Sequence, residues 1–319
     1  MTRRSLESLA APTTDWTPSS RRFERTLMVL PVQRSTMGRL SEGGTLLVPI
    51  SNPDTRDRLM DTAIDIARER SMRIVVLHVV DVPPQIPLSQ GSAVLSEDDA
   101  ERQLLSSATE QARDAGVEVD TRLRYARDVA TGIVGAVEEY DADGLLAGWH
   151  GRPRRRDIVL GSFLDRLLAE APCDLFVKRI RAPSAEIESI LVPAAGGPHG
   201  DLAVELAGAI AAQHGATVHL LHVRSPDSSE PDREGTEALF SEYESLLEPF
   251  GVEVTTQTVE HDHVAGAITD ETQHHELTVL GASQEPFLKR KLVGSVAEGV
   301  GRAAENSVIM VRGGPEEKD

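Results

Sequence analysis

Apolar residues fall in short runs separated by longer stretches in which they recur every three or four positions. Thr45–Ile50, Arg73–Val80, Gly144–Gly148 and Asp174–Arg179 read as strands. Between them, Leu59, Ala63, Ile66 and Ala67 share one helical face. The pattern predicts strand 45–50, helix 54–70, strand 73–80, helix 97–115, strand 117–125, helix 128–140, strand 144–148, helix 161–171 and strand 174–179. The strand runs lack strict alternation, which predicts strands buried on both faces.

The pattern then repeats. Leu46-Leu-Val-Pro49 returns as Ile190-Leu-Val-Pro193, and Val76-Leu-His-Val79 as Leu220-Leu-His-Val223. Ala115-Gly-Val-Glu-Val119 answers Phe250-Gly-Val-Glu-Val254, and Gly161-Ser162 answers Gly294-Ser295. Strands follow near 189–194, 216–223, 251–259, 277–281 and 307–312. Pro83–Gly91 is an insertion confined to the first copy. Repeated βα alternation implies α/β domains with parallel sheets and right-handed crossovers. The expected organisation is a basic extension over 1–44, a first domain over 45–180, a short linker and a second domain over 187–313.

Residues 1–44 carry seven arginines against Glu7, Asp15, Glu24 and Glu42. Their polar start is expected to be disordered over 1–22, and Thr26–Pro31 reads as strand-like. The whole chain has 51 acidic and 33 basic residues, a formal net charge of −18. Only Lys178, Lys289, Lys291 and Lys318 are lysines. Such a surface repels nucleic acid and anionic membranes. It suits a salt-rich cytoplasm, where screening blunts self-repulsion; an ordinary acidic protein from a GC-rich genome is the alternative. No apolar run is long enough to span a bilayer, and no secretory signal follows Arg3 and Arg4. The single cysteine, Cys173, fits a reducing compartment and a structural role.

The chemistry concentrates after the fourth strand. Gly148-Trp-His-Gly151, nine residues, then Gly161-Ser162 form a G-x2-G-x9-G-S loop that runs from a strand into a helix start. Gly148 and Gly151 permit close backbone approach, and the helix start at Gly161 and Ser162 favours an anion. Arg152, Arg154, Arg155 and Arg156 form either a lid over a polyphosphate or a solvated loop. Trp149 either stacks on a ligand or packs. His78, His222, His261, His263, His274 and His275 lack the convergence a metal site needs. Asp141 and Asp143 read as solvated. No residue is nominated as catalytic, and no metal is expected.

This loop resembles that of the universal stress protein family, whose nucleotide-binding members carry G-x2-G-x9-G-[S/T]. The resemblance spans roughly 44–180 and 187–313. It includes the Leu-Val-Pro opening strands, the Leu-His-Val second strands and Ala171-Pro-Cys-Asp-Leu-Phe-Val177. It implies two Rossmann-like, adenine nucleotide alpha hydrolase-like domains, each a five-stranded parallel sheet of order 3-2-1-4-5. It implies ATP or AMP as ligand, with or without Mg2+, and pairing of domains through their last strands, within the chain or in a homodimer. Carried over, adenine would lie near Pro49, Ile50 and Val79. Ribose and phosphates would meet Ala147, Gly148, His150, Gly151, Gly161, Ser162 and Phe163. Ser51 and then Asn52 stand where the family usually has an Asp that meets the nucleoside. The second copy, with Val223, Gly281, Gly294 and Ser295, departs further: Gln284 replaces the second glycine, and Ala194-Ala195 ends the first strand. It is the weaker site.

Two functions stay open. One is a cytoplasmic, nucleotide-binding stress-response or regulatory protein. The other is a ligand-independent module of a membrane transporter, similar to the cytoplasmic pairs of archaeal amino-acid permeases. A slow ATPase is disfavoured, because nothing positions a nucleophile. If the source is a halophile, as the resemblance and the acidic surface suggest for a haloarchaeon, thermal unfolding should be strongly salt-dependent. The melting midpoint is expected to rise steeply between about 0.1 M and molar KCl; equal midpoints would contradict this.

Overall fold

The computed structural model describes residues 42–95, 100–149, 162–180, 186–226, 230–282 and 295–315. The extension, its strand-like Thr26–Pro31, the arginine-rich loop and most of the linker lie outside these residues.

The first half runs β1 (Thr45–Pro49), α1 (Pro53–Glu69), β2 (Arg73–Asp81), α2 (Ala100–Asp114), β3 (Val119–Ala126), α3 (Val129–Glu139), β4 (Gly144–Trp149), α4 (Ser162–Glu170) and β5 (Asp174–Arg179). The second runs β6 (Ser189–Pro193), α5 (Pro198–His214), β7 (Thr217–Arg224), α6 (Glu230–Leu247), β8 (Val254–Glu260), α7 (Val264–Glu271), β9 (Leu277–Gly281), α8 (Ser295–Ala303) and β10 (Ser307–Arg312). All ten strands form one sheet of order β3-β2-β1-β4-β5-β10-β9-β6-β7-β8. Each half is therefore a parallel 3-2-1-4-5 sheet. The halves join where β5 and β10 pair antiparallel, Arg179 opposite Val308 and Leu175 opposite Arg312.

Local chemistry explains the helix boundaries. Asn52 caps α1, its Oδ1 accepting from the Asp54 amide at 2.8 Å, with Pro53 at the first position. Asp128 caps α3 through the Thr131 amide at 2.9 Å. The α5 helix is buried throughout Leu202–Ala211. Glu205 apart, this stretch is apolar all round because it packs on the sheet and against α1. There Arg70 meets buried Glu205 at 3.6 Å, and His214 Nε2 lies 3.0 Å from Asp65.

Three expectations change. The outer strands β3 and β8 are not buried on both faces; β3 is half-buried and β8 largely exposed. They sit at the sheet's two edges, which the pattern of central strands conceals. Strand β3 also begins at Val119, since the Val117 amide still bonds the Ala112 carbonyl and closes α2. Asp143 is more than a solvated residue: its carboxylate accepts from the Thr45 amide at 2.7 Å and anchors the start of β1. Glu276 repeats this in the second half, accepting from the Ser189 amide at 2.9 Å and the Glu188 amide at 3.2 Å. Burial pushes its carboxyl up, but these hydrogen bonds outweigh that and hold it below the usual range.

The insertion after β2 includes a 3-10 turn over Leu88–Val94. Buried Gly91 lies against Tyr125, where a β-carbon would sit 2.5 Å from Cδ1. Arg127 donates to the Val82 and Pro83 carbonyls. The insertion thus packs on edge strand β3, one way to shield a sheet edge.

The central seam carries a reciprocal pair of buried arginines. Arg179, near the end of β5, donates to the Gly301 and Ala304 carbonyls at the end of α8. Arg312, at the end of β10, donates to the Ala171 carbonyl at 2.7 Å and the Cys173 carbonyl at 3.2 Å, just beyond α4. Each last strand so satisfies helix-end carbonyls of the other half, where a cation is also favoured by the helix dipole. Cys173 is buried at this seam, and burial pushes its thiol up to about 12, so it is a poor nucleophile. Arg179→Met and Arg312→Met should each destabilise the chain by about 2 kcal/mol, by leaving buried carbonyls unpaired. Chemical denaturation reads this; unchanged midpoints for both would refute it.

Candidate functional site

The site begins with a turn. β1 ends at Pro49, and the Ile50 amide bonds the Leu77 carbonyl. The His78 ring donates from Nδ1 to the Ile50 carbonyl at 2.8 Å. The second half repeats this, His222 Nδ1 to the Ala194 carbonyl at 2.9 Å. Both histidines fix the strand-to-helix turn below a cavity.

The first cavity has a volume of about 660 Å³ and opens at the carboxyl ends of β1, β2 and β4. It lies where the strand order reverses between β1 and β4, the usual ligand position in such sheets. Pro49, Ile50, Leu59, Val79, Ile133 and Ala147 give it an apolar wall. Its other walls are the first turns of three helices: Ser51, Thr55 and Arg56 for α1, Asp128, Val129 and Ala130 for α3, and Phe163 and Leu164 for α4. Three positive helix ends face one space, an arrangement that favours an anion.

Charged side chains line the rim. Arg166 donates to Asp128 at 2.6 Å and to Thr131 Oγ1 at 2.7 Å. The Thr131 amide, helped by that hydroxyl and Arg166, holds the Asp128 carboxyl below its usual range against the opposing effect of burial. Arg56 pairs with neighbouring Asp57. Asp81 stands at the end of β2.

Of the residues anticipated for the ligand, Pro49, Ile50, Ser51, Val79, Ala147, Gly148 and Phe163 line this cavity. Ser162 is the first residue of α4. His150, Gly151 and Gly161 lie outside the described residues, as does the arginine cluster 152–156. Arg56, Asp81, Asp128 and Arg166 went unanticipated. Their signal was weak: each is an ordinary charged residue, brought to the rim only by the crossing of the chain. Trp149 lines the cavity and packs across the seam as well. Its ring lies 5.7 Å from the Arg179 guanidinium, and a β-carbon on Gly301 would be 3.3 Å from its Cζ3.

The second cavity, about 580 Å³, occupies the equivalent place at β6, β7 and β9. Val223 and Gly281 line it; Ser295 begins α8, and Gly294 lies outside the described residues. The described lining carries no Asp, Glu, Lys or Arg side chain. Buried Tyr243 lies behind its wall, the hydroxyl accepting from the Gly196 amide at 3.0 Å. Among the described residues no group of three His, Cys, Asp or Glu side chains is placed to hold a metal. His261 instead accepts the His263 amide at 2.8 Å.

A model of the universal stress protein family matches residues 44–179 and 186–312. The chain belongs to the universal stress protein family. Within this family relationship, the chain is 27% identical over 259 residues to the Na(+)/H(+) antiporter NhaS5 of Synechocystis sp.. That match covers 80% of this chain, which spans 36% of the antiporter's length. A universal stress protein from Archaeoglobus fulgidus shares the fold, with a TM-score of 0.64 at 19% identity, covering 87% of this chain and 100% of that one. The cytoplasmic domain of a prokaryotic cation chloride cotransporter shares it too, with a TM-score of 0.56 at 13% identity, covering 86% and 97%.

The equivalent glycines of the two universal stress domains differ in what they do. A β-carbon on Gly281 would lie 2.7 Å from the His199 carbonyl carbon and oxygen and 2.9 Å from the Gly200 nitrogen, all backbone. On Gly148 it would meet only Ile180 Cδ1 at 3.3 Å and Leu59 Cδ2 at 3.7 Å, both side-chain ends. Gly281→Ala should therefore destabilise by about 2 kcal/mol or more, and Gly148→Ala by under about 1 kcal/mol. Thermal melts compare them; equal losses would contradict this difference.

Proposed function

We propose that this chain is an adenine-nucleotide-binding regulatory protein of the stress response, with ATP or AMP held in the first domain. One observation supports this most: an apolar slot of nucleotide size ends under three helix N-termini, with arginines at its rim. The apolar wall suits a base. The start of α4, at Ser162, suits phosphates. The reading is of binding, and no residue is assigned a catalytic role. The second domain acts as structural partner or as a weaker site. The working compartment is the cytoplasm, and the acidic, lysine-poor surface fits a salt-adapted, haloarchaeal one. Mg2+ would accompany ATP through its phosphates.

A second reading has its own support. The chain is similar to part of a Na+/H+ antiporter and shares its fold with a cotransporter's cytoplasmic domain. On this reading the protein is a regulatory module that touches a membrane transporter, and its nucleotide site is dispensable. In either reading no described helix is long and apolar enough to cross a membrane.

Calorimetric titration with ATP and AMP separates them. The first reading expects saturable binding, and Ser162→Asp, which places a like charge at the α4 start, should weaken it by at least about ten-fold. Aspartate is also a good residue for a helix start, so the variant should fold. Absence of binding by the parent chain, with no thermal shift on ATP, AMP or cyclic dinucleotides, would favour the second reading.

A further inference from the structure

We propose that Asp81 selects the sugar of the bound nucleotide by accepting hydrogen bonds from the ribose 2′ and 3′ hydroxyls. This rests on the nucleotide reading above and assigns a specificity-determining residue within it.

Asp81 is the last residue of β2 and lines the cavity. Alternation along a strand puts it on the same face as Val79, two residues nearer the carboxyl edge. Val79 belongs to the apolar wall, so Asp81 stands about 6.6 Å beyond it toward the mouth. A group leaving that wall for solvent passes the carboxylate.

The other rim carboxylate is already committed. Asp128 accepts from the Thr131 amide at 2.9 Å, the Thr131 hydroxyl at 3.1 Å and Arg166 at 2.6 Å. Asp81 is exposed and has no hydrogen-bond or ion-pair partner among the described residues. Its two oxygens are left to accept from a ligand.

Charge decides which part of the ligand that is. A phosphate would be repelled by the carboxylate. Phe163 and Leu164, in the first turn of α4, line the same cavity as Ala147–Trp149 of β4, and β1 separates β4 from β2. Two strand spacings place Asp81 about 10 Å from the β4 side of the cavity, roughly one Debye length. Phosphates at α4 and the carboxylate at β2 are therefore compatible. The base, held against the apolar wall, takes the closed end. Between them lies the sugar, whose vicinal hydroxyls are two donors matched to two carboxylate oxygens. Ser51, on the neighbouring strand's exit turn and lining the same cavity, adds a neutral hydroxyl but no charge.

The test is calorimetry of the full chain with ATP, 2′-deoxy-ATP, 3′-deoxy-ATP and ITP, each with and without Mg2+, using the parent, Asp81→Ala and Asp81→Asn. The parent is expected to bind each deoxy analogue about ten-fold more weakly than ATP. Asp81→Ala should bind ATP only as well as the deoxy analogues, and Asp81→Asn should fall between. Discrimination that persists in Asp81→Ala would overturn the proposal. So would loss of the ATP-to-ITP difference instead, which would assign Asp81 to the base. Loss of Mg2+ dependence alone would assign it to a metal and equally overturn it. If the parent binds none of the four nucleotides, the nucleotide reading itself fails, and the same titration shows that separately. Because Asp81 is exposed at a strand end, circular dichroism of the variants should match the parent.

Discussion

The antiparallel pairing of β5 with β10 is the constraint from which the architecture follows. A parallel 3-2-1-4-5 sheet leaves its fifth strand at an edge, with unpaired amides and carbonyls. Here each half covers the other's edge, giving one ten-stranded sheet. Arg179 and Arg312 then cross the junction to the helix-end carbonyls opposite. Because the junction is antiparallel, the carboxyl ends of the two halves point in opposite directions. The two cavities therefore open at opposite edges of one sheet, and neither helps to wall the other.

The same junction makes the halves unequal partners. Trp149 belongs to the first cavity and packs beside Gly301 and Arg179. In the second half the equivalent strand end is Gly281, where α5 comes so close that no β-carbon fits. Both glycines line a cavity, but Gly148 has only side-chain ends beside it and Gly281 lies against helix backbone. The rim charges follow the same division, with Arg56, Arg166, Asp81 and Asp128 at the first cavity and no Asp, Glu, Lys or Arg among the described lining of the second.

Most of the fold was legible because parallel strands buried at the sheet centre write themselves as apolar runs. Leu46-Leu-Val-Pro49 and its copy at Ile190 are the clearest case. The edges were harder: Val119–Ala126 and Val254–Glu260 carry polar residues that only sheet order explains. Asp143 reads as solvated in sequence, and Glu276 draws no notice there, since the amides they bind lie 98 and 87 residues away. The site was legible where it is local, as in Pro49–Ser51 and Gly148. It was hidden where helices from distant segments converge, as with Arg56 and Arg166.

The central claim is that the first cavity, not the second, takes an adenine nucleotide. Photolabelling with 8-azido-ATP followed by peptide mapping addresses it directly. The account predicts label on peptides covering 45–60 or 73–82 that unlabelled ATP competes away. Label confined to 187–313, or label that ATP does not displace, would contradict it.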